Sequence, residues 1–173
     1  MIEVKKQSML KKILLHSLLL VVFLVTSTAC VPAAGSNREV VTLQVPILSS
    51  LGGDFPVAGL GVLPEAQRMN PIGFIGSQMQ LDKVLKYLQA GDKLLPPVDF
   101  STQRVLYARN TVFYNHLSIA AVTLVGNTLK ILSMSTLSAM PIEENVAMSL
   151  VVVPRLEAKY LEVAGEKVRL DGI

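Results

Sequence analysis

Leu117-Ser118-Ile119-Ala120-Ala121-Val122-Thr123-Leu124-Val125, then Gly126-Asn127, then Thr128-Leu129-Lys130-Ile131-Leu132-Ser133-Met134-Ser135-Thr136 is the stretch that decides the fold. Two apolar runs of strand length flank a two-residue turn signal. Gly-Asn supplies residues that tolerate φ > 0, which a tight hairpin needs so that the turn matches the twist of its strands. In the second run Leu129, Ile131, Ser133 and Ser135 alternate with Lys130, Leu132, Met134 and Thr136, and both faces are only partly polar. Such a strand suits a sandwich, or a sheet covered on one side by a helix.

Outward from this hairpin the chain continues to read as β. Residues 104–108 and 148–153 are further apolar runs, and residues 160–170 alternate around Ala164-Gly165, predicting a second, exposed hairpin. Residues 39–46, with Val40, Val41, Leu43 and Val45, predict a strand, as do Ile72, Phe74 and Ile75. Residues 49–63 hold Gly52, Gly53, Pro56, Gly59 and Gly61 and are expected to form a loop over the domain edge. One helix is predicted over residues 80–90, where Leu81, Val84, Leu85 and Leu88 share a face. Gly91 stands where a left-handed helix cap is expected. Pro141-Ile142-Glu143-Glu144-Asn145 is expected to be a solvated loop. The expected fold is mainly β, a β-sandwich-like or antiparallel sheet with one amphipathic helix, with α+β as the alternative.

Ahead of this domain, residues 1–29 have the order of a secretory signal. Lys11 and Lys12 form a positive region, residues 13–25 an apolar one, and Ser27-Thr28-Ala29-Cys30 a run of small residues ending in the only cysteine. Met9-Leu10-Lys11-Lys12 is a more natural start than Met1. The apolar run is shorter than the roughly 20 residues a spanning helix needs. Val31-Pro32-Ala33-Ala34-Gly35-Ser36-Asn37-Arg38 reads, with Cys30, as a flexible tether. Residues 39–173 then form a single domain.

Subtracting the leader changes the electrostatics. The whole chain has 16 Lys plus Arg against 13 Asp plus Glu. Lys5, Lys6, Lys11 and Lys12 belong to the leader, with Glu3, so the remainder is balanced. The sequence pI of about 9.1 is therefore a leader effect. No basic face for nucleic acid survives, and no nucleic-acid partner is expected.

Ser27-Thr28-Ala29-Cys30 resembles the bacterial lipobox, although Ser27 stands where an aliphatic residue is usual. The resemblance implies cleavage between Ala29 and Cys30, thioether attachment of diacylglycerol to the Cys30 thiol, and acylation of the new amino terminus. An ordinary secreted signal cut before Cys30 is the alternative. The lipobox implies a bacterial envelope protein whose membrane contact is the lipid. Val31 after the cysteine, rather than Asp, favours the periplasmic face of the outer membrane under the sorting rule of enteric bacteria.

A second resemblance covers residues 72–154. A helix leads to Leu95-Pro96-Pro97-Val98-Asp99-Phe100-Ser101, then Arg104-Val105-Leu106-Tyr107-Ala108, a hairpin, and Ser149-Leu150-Val151-Val152-Val153-Pro154. This order is similar to the carboxyl-terminal domain of the PrcB family of protease-complex proteins. The resemblance implies a small, mostly β domain that accompanies or assembles an exported protease without cleaving anything itself. The Pro-Thr-Gly-Gly-Tyr turn of that family is missing, because Thr111-Val112-Phe113-Tyr114-Asn115-His116-Leu117 stands in its place. No binding residue is carried over.

The residues name no catalytic set. Nucleophilic catalysis needs a Ser, Thr or Cys with a base in reach, and after the leader the only imidazole is His116, expected at a hairpin edge. Glu143-Glu144 is the one adjacent acidic pair outside any metal-ligand spacing. Asp99 is expected to fix a turn through nearby backbone N–H groups and Phe100 to enter the core. No catalytic residue, metal or cofactor is expected. The expected role is binding or assembly, with a protein partner in the envelope. A purely structural envelope component is the second expectation, and a hydrolase with an unrecognised site the third.

Overall fold

The computed structural model describes residues 41–137 and 140–170. Ala29, Cys30 and the tether lie outside the described residues. Nine strands form two sheets, as the mainly β expectation requires. They are β1 (Thr42–Val45), β2 (Ser49–Pro56), β3 (Ile72–Ile75), β4 (Gln103–Arg109), β5 (Leu117–Val125), β6 (Thr128–Ser135), β7 (Asn145–Pro154), β8 (Tyr160–Val163) and β9 (Glu166–Arg169), with one α-helix among the described residues, α1 (Gln78–Tyr87), after β3. One sheet has the order β1-β5-β6-β8-β9 and the other β2-β7-β4-β3.

The four-stranded sheet is the middle layer, and β7 shows why. A strand buried on both faces reads as a near-continuous apolar run. Val146, Met148, Leu150 and Val152 face α1, together with Val105 and Tyr107 of β4 and with Leu81 and Val84 of the helix. Ala147, Val151 and Val153 face the five-stranded sheet and meet Val122, Leu129 and Leu161. The continuous run 148–153 is thus the signature of a sheet with a cover on each side.

The decisive hairpin forms as expected, with Val125 opposite Thr128. Gly126 alone takes positive φ, at 61°, as glycine does at the first central position of a type II′ turn. In the β8–β9 turn both Ala164 (φ 51°) and Gly165 (φ 87°) are left-handed. The expected hairpin forms with its turn and most of β9 exposed, but β8 is not exposed. Its β8 strand runs parallel to β6, with Thr128 opposite Tyr160 and Leu129 opposite Leu161, and Leu161, Val163 and Leu170 enter the core.

Residues 49–63 also depart from expectation. The first eight are strand β2, paired along its length with β7, and Val57–Val62 follow as a 3₁₀ helix. The glycines do not break the strand; Gly53 admits a neighbour. Asp54 and Gln89 exchange backbone hydrogen bonds, Asp54 N–H to Gln89 O at 3.3 Å and Gln89 N–H to Asp54 O at 2.8 Å. A Cβ on Gly53 would lie 2.8 Å from the Gln89 carbonyl carbon.

The same bridge ends the helix early. Ser77 caps its start, its Oγ accepting from the Gln80 N–H at 3.3 Å, while Gln80 Oε1 accepts from Gly76 N–H. The helix stops at Tyr87 because Leu88–Ala90 turns to meet β2. Gly91, at φ 64°, therefore shapes the following turn and does not cap the helix.

Between Leu63 and β3, buried Gln67 ties the loop to the sheet. Its Oε1 accepts from the Phe74 N–H at 2.8 Å, and its carbonyl accepts from the Tyr107 hydroxyl at 3.3 Å. Gly73 leaves room for both side chains, since a Cβ there would collide with them. Burial pushes the Tyr107 phenol well above its usual range.

Candidate functional site

Strand β1 is short for a reason visible in its sequence. It pairs with Val122–Val125 of β5 and stops at Val45. Pro46 follows, which has no N–H to continue a ladder, and the chain crosses to start β2 in the other sheet. Leu117–Ala121 of β5 is left without a strand on that side among the described residues. The sandwich is open there, between β5 and the β2 edge.

A cavity of about 300 Å³ fills this opening. On the inner face of the middle sheet its walls are small, formed by Ser50, Gly52 and Asp54 of β2 with Ala147 and Ser149 of β7. Large residues occupy the same face further along, at Val151 and Val153. The cavity is therefore a local absence of side-chain volume between two sheets. Leu117 and Ile119 form the opposite wall, and Tyr114, His116 and Lys93 stand around the mouth.

The segment before β5 is fixed by a buried amide. Asn110 Oδ1 accepts from Asn115 N–H and from Ala147 N–H, both at 3.1 Å. This places Tyr114 so that its hydroxyl donates to Asp54 Oδ1 at 2.5 Å. That hydrogen bond to the carboxylate, then burial, raises the Tyr114 phenol above its ordinary value. Among the described residues Asp54 is the only carboxylate lining this cavity. Beyond Tyr114 a shallower cavity of about 350 Å³ is lined by Asp54, Met140, Pro141, Glu143, Glu144 and Asn145.

The residues singled out from the sequence fall partly into place. His116 is exposed at the entry to β5, where its N–H donates to Thr136 Oγ1 at 3.1 Å and its carbonyl accepts from Thr136 N–H at 3.0 Å. Its backbone role is the hairpin-edge one expected, and its ring adds to the cleft mouth. Glu143 and Glu144 are exposed in a loop, while Asn145, expected in that loop, opens β7. Asp99 fixes its turn as expected. Its Oδ1 accepts from Ser101 N–H at 2.9 Å and Ser101 Oγ–H at 2.6 Å, and Oδ2 from Thr102 Oγ–H at 2.8 Å. These bonds to Ser101 and Thr102 hold the carboxyl below the usual carboxylate range. Phe100 packs half-buried against the helix-side core.

The cleft itself was not among the sequence expectations. The one local signal is Ser149 within the apolar run of β7, with Ala147 two residues earlier on the same face. Among the described residues no cluster of three or more His, Cys, Asp or Glu could hold a metal ion. The chain matches no family model, no curated protein and no solved structure.

Proposed function

We propose that this chain is a lipid-anchored protein of the bacterial cell envelope with a non-enzymatic binding or assembly role, accompanying an exported protease or another secreted protein. The cleft carries the binding part of this proposal. It is a concave site at an open side of the sandwich, lined by hydroxyls, apolar side chains, the Asp54 carboxylate, Lys93 and His116. Asp54 is engaged by Tyr114, whereas glycoside hydrolysis needs two carboxyl groups flanking the bond to be cut. The leader, Ala29 and Cys30 support the anchor, and the order of elements over residues 72–154 supports a partner in the envelope.

The test is crosslinking of the native lipoprotein in whole cells, with identification of what is captured. One specific protein partner is the expected result. Capture of none overturns the binding role in favour of a structural component. Cys30→Ala, followed by membrane fractionation and lipid labelling, tests the anchor. Loss of label and release from the membrane are expected, and unchanged retention with unchanged label overturns it.

A further inference from the structure

We propose that the open side of the sandwich takes an extended polypeptide, which continues the place of β1 beside β5 and turns alternate side chains into the cleft. The proposal rests on the binding role above and names its site and ligand class.

The backbone specifies the occupant. Strand edges expose unpaired N–H and C=O groups, and proteins usually blunt them with charge or proline. Leu117-Ser118-Ile119-Ala120-Ala121 has neither, and Ser118 and Ala120 are exposed. The ladder to β6 shifts register between Ile119 and Ala121, the irregularity of a β-bulge, which recurs at sheet edges and beside functional sites. An added strand satisfies these backbone groups, while pockets below select every second side chain. The cleft lies directly below, because Leu117 and Ile119 line it.

Charge selects the side chain. Tyr114 engages Oδ1 of Asp54, and Oδ2 makes no hydrogen bond among the described residues. Asp54 also borders the shallower cavity, whose lining adds Glu143 and Glu144. Among the described residues Lys93 is the one cation lining the cleft, and His116 is the remaining titratable group at the mouth. Over the two adjoining cavities three carboxylates stand against Lys93, and a lysine or arginine of the added strand fits over Asp54.

The probe is a fluorescent peptide, Val-Thr-Val-Lys-Val-Thr-Val, titrated into the full lipoprotein in detergent and read by anisotropy and amide hydrogen exchange. Saturable binding is expected, with slowed exchange across residues 117–121. Replacing the peptide lysine by glutamate weakens binding about tenfold, and Asp54→Asn removes that preference. Gly52→Leu fills the cleft, and the nearest atom to a Cβ there is 3.7 Å away. Ala120→Pro places proline at the bulge position, where it is tolerated, and blocks the edge. Both weaken binding at least tenfold, with thermal unfolding confirming that each variant is folded.

No anisotropy change, or equal binding by wild type and by folded Gly52→Leu and Ala120→Pro, overturns the proposal. So does a dimer in which a second copy closes residues 117–121. Capture of a partner in cells that is insensitive to Gly52→Leu and Ala120→Pro keeps the binding role and overturns this site. Peptide binding without any captured partner has the reverse meaning.

Discussion

Gly53 and Gln89 touch backbone to backbone, and this contact turns a glycine-rich segment into the edge strand of the middle sheet. A Cβ on Gly53 would meet the Gln89 carbonyl group and lie 3.0 Å from Ala90 Cα, atoms that no rotamer can move. Gly53→Ala is therefore expected to cost about 1–3 kcal/mol. Gly52→Ala, whose Cβ would meet only the Met148 carbonyl oxygen at an ordinary 3.7 Å, should change stability by less than about 0.5 kcal/mol. Urea unfolding midpoints of the two variants check this, and equal midpoints would refute the role given to Gly53.

Gln67→Ala leaves the buried Phe74 N–H without its acceptor. A loss of about 1–3 kcal/mol is expected from that orphaned donor. Hydrogen exchange should show the Phe74 amide losing protection first, and unchanged protection there would count against the tie.

Leu150 and Leu132 bear the same side chain in different settings. Leu150 is fully buried between the middle sheet and the helix, whereas Leu132 is 61% exposed. Leu150→Ala should cost about 2–5 kcal/mol, and Leu132→Ala less than about 0.5 kcal/mol. Denaturation curves of both variants give the comparison; similar losses would contradict the two-cover arrangement of β7.

The Tyr114–Asp54 bond predicts an alkaline effect. Because the folded phenol titrates above its ordinary value of 10.0, the bond contributes fully below pH 10 and is lost as pH rises through the folded value. Tyrosinate absorbance should show one late-titrating phenol fewer in Asp54→Asn than in wild type once the other tyrosines are accounted for. Identical titrations would exclude the bond in solution.

Asp99 acts at the other end of the pH scale. Its folded carboxyl titrates below the ordinary 3.8, so its turn is stabilised above that pH and weakens as pH falls through the folded value. The stability gap between wild type and Asp99→Ala should close in that acidic window. Carboxyl chemical shifts followed by NMR give the titration directly, and an Asp99 midpoint at or above 3.8 would contradict it.

The strands were legible wherever burial imposed a local pattern. β5 spans the expected residues, β6 and β4 differ by a residue or two at their ends, and the apolar run of β7 reports its two covers. β2 was not legible, because the neighbour that requires Gly53 lies 36 positions later at Gln89 and sequence spacing carries no trace of it. The early end of α1 was hidden for the same reason. The cleft draws on residues 50–54, 93, 114–119 and 147–149, which only the topology brings together. Ser149 and Ala147 mark it as small residues on one face, yet alone they are ordinary strand residues.

The position of β7 in the chain has a consequence for how the molecule is made. β2 is synthesised early, but its ladder partner ends at Pro154, so the middle layer waits for nearly the whole domain. Pairings of such long range form slowly, since chain entropy must be lost before contacts compensate it. Until β7 arrives, the helix and the outer sheet can meet only β3 and β4, and the central strand of their shared surface is missing. The middle layer is therefore completed only once β7, the strand that joins β2 to β4, has been made.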